Sequence, residues 1–110
     1  MDNSSFNDLI AKTVEVNGRF KAEFSDRDRI LSLVSEVGEL ADAVLEYDGG
    51  KEKGTRSPKG KGEIADALAD IFYNLVLVAQ HYGVDLTEEY KRVLKDVEKR
   101  LKTGEFIRGE

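Results

Sequence analysis

Apolar residues recur along most of the chain at the three-and-four spacing of an α-helix, and four amphipathic segments can be read from it. The first runs from Ser5 to Arg19, with Phe6, Leu9, Ile10, Thr13 and Val14 at helical spacing. The second, Asp26 to Tyr47, carries Ile30, Leu33, Val34, Val37, Leu40, Ala41, Val44 and Leu45. The third, Lys61 to Tyr82, is apolar around most of its circumference, which predicts a buried helix. The fourth runs from Leu86 to Lys102. Between the last two, Gly83 suits a left-handed C-cap, and Asp85 with Glu88 three residues on reads as a capping box. There is no internal repeat and no low-complexity tract.

The stretch 48–62 differs in kind. It holds five glycines, five basic residues (Lys51, Lys53, Arg56, Lys59, Lys61) and the chain's single proline, Pro58. It reads as a flexible basic loop rather than helix, joining the second segment to the third. Two roles stay open for it: a solvated linker, or a basic lid over an anionic substrate. It is not a Walker A loop, because that motif would need glycine at Thr55 and Ser or Thr at Gly62.

Composition narrows the class. With 110 residues the chain is expected to form one domain, residues 1–110. The near absence of proline, with 40% hydrophobic and 35% charged residues, favours an all-α bundle over short strands. No cysteine is present, which removes disulfides, thiolate catalysis and thiolate-held metals, and a lone histidine, His81, argues against an imidazole-built zinc site. A net charge of −5 argues against a nucleic-acid partner. No apolar run reaches the roughly 20 residues of a membrane span, and the first residues lack the pattern of a signal peptide. A cytoplasmic protein with no membrane partner is the expectation. Few Met, no Cys and much Lys and Glu would also suit a heat-adapted source.

Candidate chemistry lies in two acidic stripes. On a wheel of about 100° per residue, Glu36 and Glu39 sit at the edge of the second segment's apolar face. They share a stripe with the small residues Ser32 and Ala43. Two glutamates three apart repel each other unless a counter-charge intervenes. On the third segment, Glu63, Asp70, Asn74 and His81 project in nearly one direction, with Asp66 at the stripe's edge. Acids along a buried helix are costly without a cation. Packed antiparallel, the two helices would bring both stripes together. Carboxylates without sulfur or paired imidazole describe a site for Mg²⁺, or Mn²⁺. His81, roughly 16 Å along the helix from Asp70 at 1.5 Å per residue, is too far for the same ion and is read as structural or interfacial.

The segment Leu33-Val-Ser-Glu-Val-Gly-Glu-Leu-Ala-Asp-Ala-Val44 strongly resembles the first motif of the MazG-like all-α nucleotide pyrophosphohydrolases. That motif is written Glu-Glu-x-x-Glu and is followed, after a variable loop, by Glu-x-x-Asp. Glu36 and Glu39 match its second and third acids, while Ser35 stands at the first. The second motif fits in two registers. By its text it is Glu63-Ile-Ala-Asp66; counted back from the family-like tail Leu75 to Leu86, its aspartate is Asp70 and Ala67 stands at the glutamate position. Asp70 is favoured as a ligand, with Glu63 or Asp66 supplying another carboxylate. The similarity covers residues 28–102.

The resemblance implies a four-helix MazG-like bundle and a Mg²⁺-dependent cleavage of a nucleoside triphosphate between the α- and β-phosphates. It also implies Glu36, Glu39, Glu63, Asp66 and Asp70 as the metal-binding acids. Glu36 or Glu39 would act on the attacking water. Asn74 is a candidate contact to sugar or base, and Lys95, Lys99 and Arg100 resemble the family's basic tail that meets phosphate. Enzymes of the same fold acting on phosphoribosyl-ATP, dUTP or dCTP are alternatives, as is a non-catalytic helical oligomerisation or binding module. A carboxylate-bridged di-iron bundle is disfavoured, since its Glu-x-x-His pairs need more than one histidine. A third helix apolar on nearly every side predicts a homodimer or a dimer of dimers.

Overall fold

The computed structural model describes residues 4–20, 26–49 and 58–104. Four α-helices follow in order: α1 (Ser4–Asn17), α2 (Asp26–Asp48), α3 (Pro58–His81) and α4 (Leu86–Thr103). No strand occurs among the described residues, and no helix there is long and apolar enough to cross a membrane. The all-α expectation holds.

Local chemistry accounts for the helix ends. α1 stops at Asn17, short of Arg19, because Gly18 begins a turn. Arg19 then folds back onto Glu15, with Nε and Nη2 donating to its two carboxylate oxygens at 2.7 and 2.9 Å. α3 ends as foreseen: Gly83 takes φ +67°, and the Val84 amide donates to the Ala79 carbonyl at 2.8 Å, the long closing bond of a Schellman cap. Asp85 then caps α4, its side chain accepting from the Glu88 amide at 3.1 Å.

One boundary is corrected. The expected loop 48–62 includes residues that are helical, because α3 starts at Pro58 and carries Gly60 and Gly62 in its opening turns. Proline has no amide hydrogen, and the first helical position needs none, so Pro58 starts a helix where it would break one further in. The rest of that expected loop, 50–57, lies outside the described residues.

α3 is the central element. α2 packs along it and α1 against another side, where Phe6 and Phe72 meet at 5.7 Å between ring centroids. Among the described residues, the buried apolar side chains are Ala67, Val76 and Leu77, all on α3. Its expected near-complete burial is only partly met, since Leu68 and Leu75 are exposed. α2 turns the Leu33–Leu40 edge inward and leaves Ile30, Val34, Val37 and Leu45 uncovered. α4 is attached at its start, where buried Thr87 donates from Oγ1 to Asn7 Oδ1 at 2.6 Å, and every residue after Thr87 on this helix is exposed. The radius of gyration, 17.4 Å, exceeds the roughly 13 Å expected for a compact domain of this length. One copy is an open framework with apolar faces still uncovered.

Candidate functional site

α1, α2 and α3 enclose a cleft of about 700 Å³. Glu36, Arg29 and Ser32 enter it from α2, and Asp70, Tyr73, Asn74, Leu77, Gln80 and His81 from α3. The C-terminal part of α1 closes it with Val14 and Asn17. The wall is tied by polar contacts. Tyr73 donates its hydroxyl to Asn17 Oδ1 at 3.0 Å, joining α3 to α1, and Arg29 Nη1 donates to Asn74 Oδ1 at 3.3 Å, joining α2 to α3. Glu36 faces Asp70 while Arg29 faces Asn74, so the numbering rises on α2 as it falls on α3 and the helices run antiparallel.

At one end, Glu36 and Asp70 face each other across the two helices, close enough for the Asp70 charge to act on the Glu36 carboxyl. The Glu36 carboxyl is held above the ordinary glutamate value, first by burial, then by the Asp70 charge and by Glu39 one turn along. Two carboxylates this close oppose each other's ionisation, and a cation between them would remove the opposition. The donors are all oxygen, which suits a hard divalent ion.

The other predicted acids take different places. Glu39, Glu63 and Asp66, exposed like Asp70, do not line the cleft, although Glu39 is near enough to act on Glu36. Among the described residues, no three His, Asp or Glu side chains are gathered in a way that could hold a metal. Magnesium does not require three: it is usually held by one or two carboxylates with water and substrate phosphates completing its shell. Glu36 and Asp70 therefore fit such an ion. Lys95, Lys99 and Arg100 are exposed on α4 and away from the cleft, with Arg100 Nε 3.4 Å from Asp96.

Asn74 lines the cleft but is only 8% exposed. Its Nδ2 donates to the Asp70 carbonyl at 3.1 Å while its Oδ1 takes the Arg29 bond, so both ends of the amide are engaged within the protein. The placement of His81 adds to what its position along α3 gave. It remains far from Asp70 along the helix, yet it lines the same cleft and meets Tyr82 edge-on at 4.7 Å. Polar side chains not foreseen as lining include Asn17, Arg29, Tyr73 and Gln80. Arg29 had a readable signal, since it stands seven residues before Glu36 on the same face of α2. Asn17 had none, because only packing decides that α1 closes the cleft.

Helices throughout, with acids from two of them meeting at a polar cleft, define an all-α protein with a carboxylate site. The family model described as phosphoribosyl-ATP pyrophosphohydrolase matches residues 4–100. The chain belongs to this family, within the MazG-like all-α pyrophosphohydrolases, and pyrophosphohydrolase chemistry in general comes with it. It is also similar to the uncharacterized protein YvdC of Bacillus subtilis (strain 168), with 31% identity over 83 residues, covering 72% of this chain and 78% of that protein. No solved structure matches the chain.

Proposed function

We propose that the protein is a Mg²⁺-dependent nucleotide pyrophosphohydrolase that cleaves ribo- or deoxyribonucleoside triphosphates between the α- and β-phosphates. The products are the nucleoside monophosphate and pyrophosphate. The observation that supports this reading is the pairing of Glu36 with Asp70 at the end of a cleft large enough for a nucleotide. These two would hold the ion, with Glu39, Glu63 and Asp66 as further carboxylates on the same helices, and Mn²⁺ suits the same donors. When bound, the ion supplies neutralisation of phosphate charge and acidification of a water. The raised proton affinity of Glu36 suits it to take a proton from the attacking water, and Glu39 one turn on is the other candidate base. Water adds across the anhydride, the bond to pyrophosphate breaks, and the carboxyl group carries the proton away.

Lys95, Lys99 and Arg100 do not meet the cleft within one copy, so any phosphate contact they make belongs to an assembly. That assembly is a homodimer or a dimer of dimers, supported by the apolar faces left open on α2, α3 and α4. A cytoplasmic location suits a substrate drawn from the nucleotide pool.

The test incubates the pure protein with canonical, deoxy and damaged nucleotides plus Mg²⁺ and assays pyrophosphate against phosphate. Pyrophosphate and monophosphate should appear together, disappear with EDTA, and be lost in a folded Glu39→Ala variant. Phosphate released without pyrophosphate would sink the mechanism. The family match favours a second reading, with phosphoribosyl-ATP as substrate; including that compound beside dUTP and dCTP decides between them by relative kcat/KM.

A further inference from the structure

Along α4, Tyr90, Leu94, Val97 and Leu101 follow one another at spacings of four, three and four, and all of them are exposed. That alternation is the seam of a two-stranded coiled coil, whose apolar residues repeat every 3.5 residues on average. The stripe is narrow. Lys91 and Glu98 border it on one side, Val93 and Arg100 on the other. The uncovered face of α2 is of another kind: Leu31 and Leu45 widen the row formed by Ile30, Val34, Val37 and Val44, which suits the core of a many-helix bundle. A narrow seam edged with charge suits a single partner helix. Acids and bases are mixed on the polar side of α4, with Glu88, Glu89, Asp96 and Glu98 among its lysines and arginines, so an anionic membrane surface is a poor match.

The flanking charges choose the direction. Two α4 helices laid antiparallel about a two-fold axis set Tyr90 against Leu101 of the second copy and Leu94 against its Val97. Every residue of the stripe then has an apolar partner, whereas a slip of one heptad leaves Tyr90 or Leu101 with none. In this register Lys91 lies beside Glu98 of the second copy, and symmetry repeats the pair. Val93 lies beside the second copy's Arg100, whose methylene stem can cover it. The helix ends agree, since Glu88 and Glu89 stand in the first turn and Arg100 and Lys102 in the last. Antiparallel pairing sets each acidic end against a basic one; parallel pairing would join like ends and place Glu98 beside Val93. Lys91 Nζ already has Glu88 3.3 Å away, both side chains being more than half exposed. An ammonium with three donors can serve a second carboxylate as well.

We infer that α4 is an interface between two copies of this chain, paired antiparallel along Tyr90, Leu94, Val97 and Leu101 and held in register by two Lys91–Glu98 ion pairs. The inference rests on the homo-oligomer reading above and gives that assembly a surface, a direction and a register.

The chain has no cysteine, so introduced thiols report their neighbours cleanly. Full-length Tyr90→Cys and Leu101→Cys copies, mixed and oxidised, should form a covalent dimer much faster than either variant alone. Faster linkage of Tyr90→Cys with itself means parallel pairing and overturns the inference. Sedimentation gives the second measurement. Lys91→Glu should raise the dissociation constant on the order of tenfold, because two exposed ion pairs become two repulsions. Glu98→Lys should do the same, and the variant carrying both changes should associate like the wild type. Losses that add in the combined variant overturn the proposed register. A wild type that stays monomeric at micromolar concentration defeats the homo-oligomer reading and this inference with it. An assembled wild type whose mixed variants do not link overturns the α4 pairing and leaves the homo-oligomer reading standing.

Discussion

The apolar stripe of α4 allows a quantitative test of assembly. Tyr90, Val93, Leu94, Val97 and Leu101 follow one another at helical spacing and are between 38% and 60% exposed. About half of their combined surface thus still meets water. Burying a large apolar side chain fully is worth roughly 1.5–3 kcal/mol, so covering the rest of this stripe would yield on the order of 4–7 kcal/mol per subunit. Leu94→Asp removes about 1 kcal/mol of that gain in each copy and adds the cost of desolvating a carboxylate. In a two-fold dimer both copies lose it. The dissociation constant should rise by more than about 30-fold, since 1.4 kcal/mol is a factor of ten. Arg92→Ala, off the stripe, should leave assembly intact. Light scattering and sedimentation over a range of concentrations measure the constants directly, and the thermal midpoint of the wild type should rise with concentration. A wild type that is monomeric at micromolar concentration refutes the reasoning, as does a Leu94→Asp protein that assembles like the wild type.

Two further outcomes follow from the carboxylate pair and the caps. Glu36 has its folded pKa raised above the ordinary value, so its contribution to stability is complete below the unfolded glutamate value and is lost as pH rises through the raised one. Asp70→Asn keeps the shape, removes one source of that shift, and should flatten the fall in metal-free thermal midpoint as pH rises above the ordinary glutamate value. The same variant should lose most of the stabilisation that Mg²⁺ gives the wild type; parallel pH curves with an equal Mg²⁺ response would contradict the assignment. Asp85→Ala deletes the α4 cap and should cost about 0.5–2 kcal/mol, read as a lower midpoint in chemical denaturation, and an unchanged midpoint would show that the cap carries no stability.

How the site became legible depends on the residues concerned. Glu36 and Glu39 could be located because a helix repeats its faces regularly, so an acidic stripe beside an apolar one is visible without coordinates. The register of the partner stripe was open between Glu63, Asp66 and Asp70, since each is acidic and all lie near one face. Packing made the distinction: Asp70 meets Glu36, whereas Glu63 and Asp66 stay outside the cleft. His81 was judged by its distance from Asp70 along α3, which is a sound measure for sharing an ion but says nothing of a cleft that runs along the helix.

By itself the sequence determined what depends on neighbours along the chain. That includes four helices, the Gly83 and Asp85 caps, an acidic face on α2 and another on α3, and the absence of any cysteine or paired imidazole. Such features arise from backbone geometry and side-chain periodicity, whose range is a few residues. Tertiary structure alone decided which acid faces Glu36, that α1 closes the cleft with Asn17, and that Asn74 turns its oxygen to Arg29. These depend on how helices distant in sequence meet, and a helix with apolar residues on most sides permits several such meetings. The candidate acids were thus read as two stripes, and packing brought one pair of them, Glu36 and Asp70, face to face.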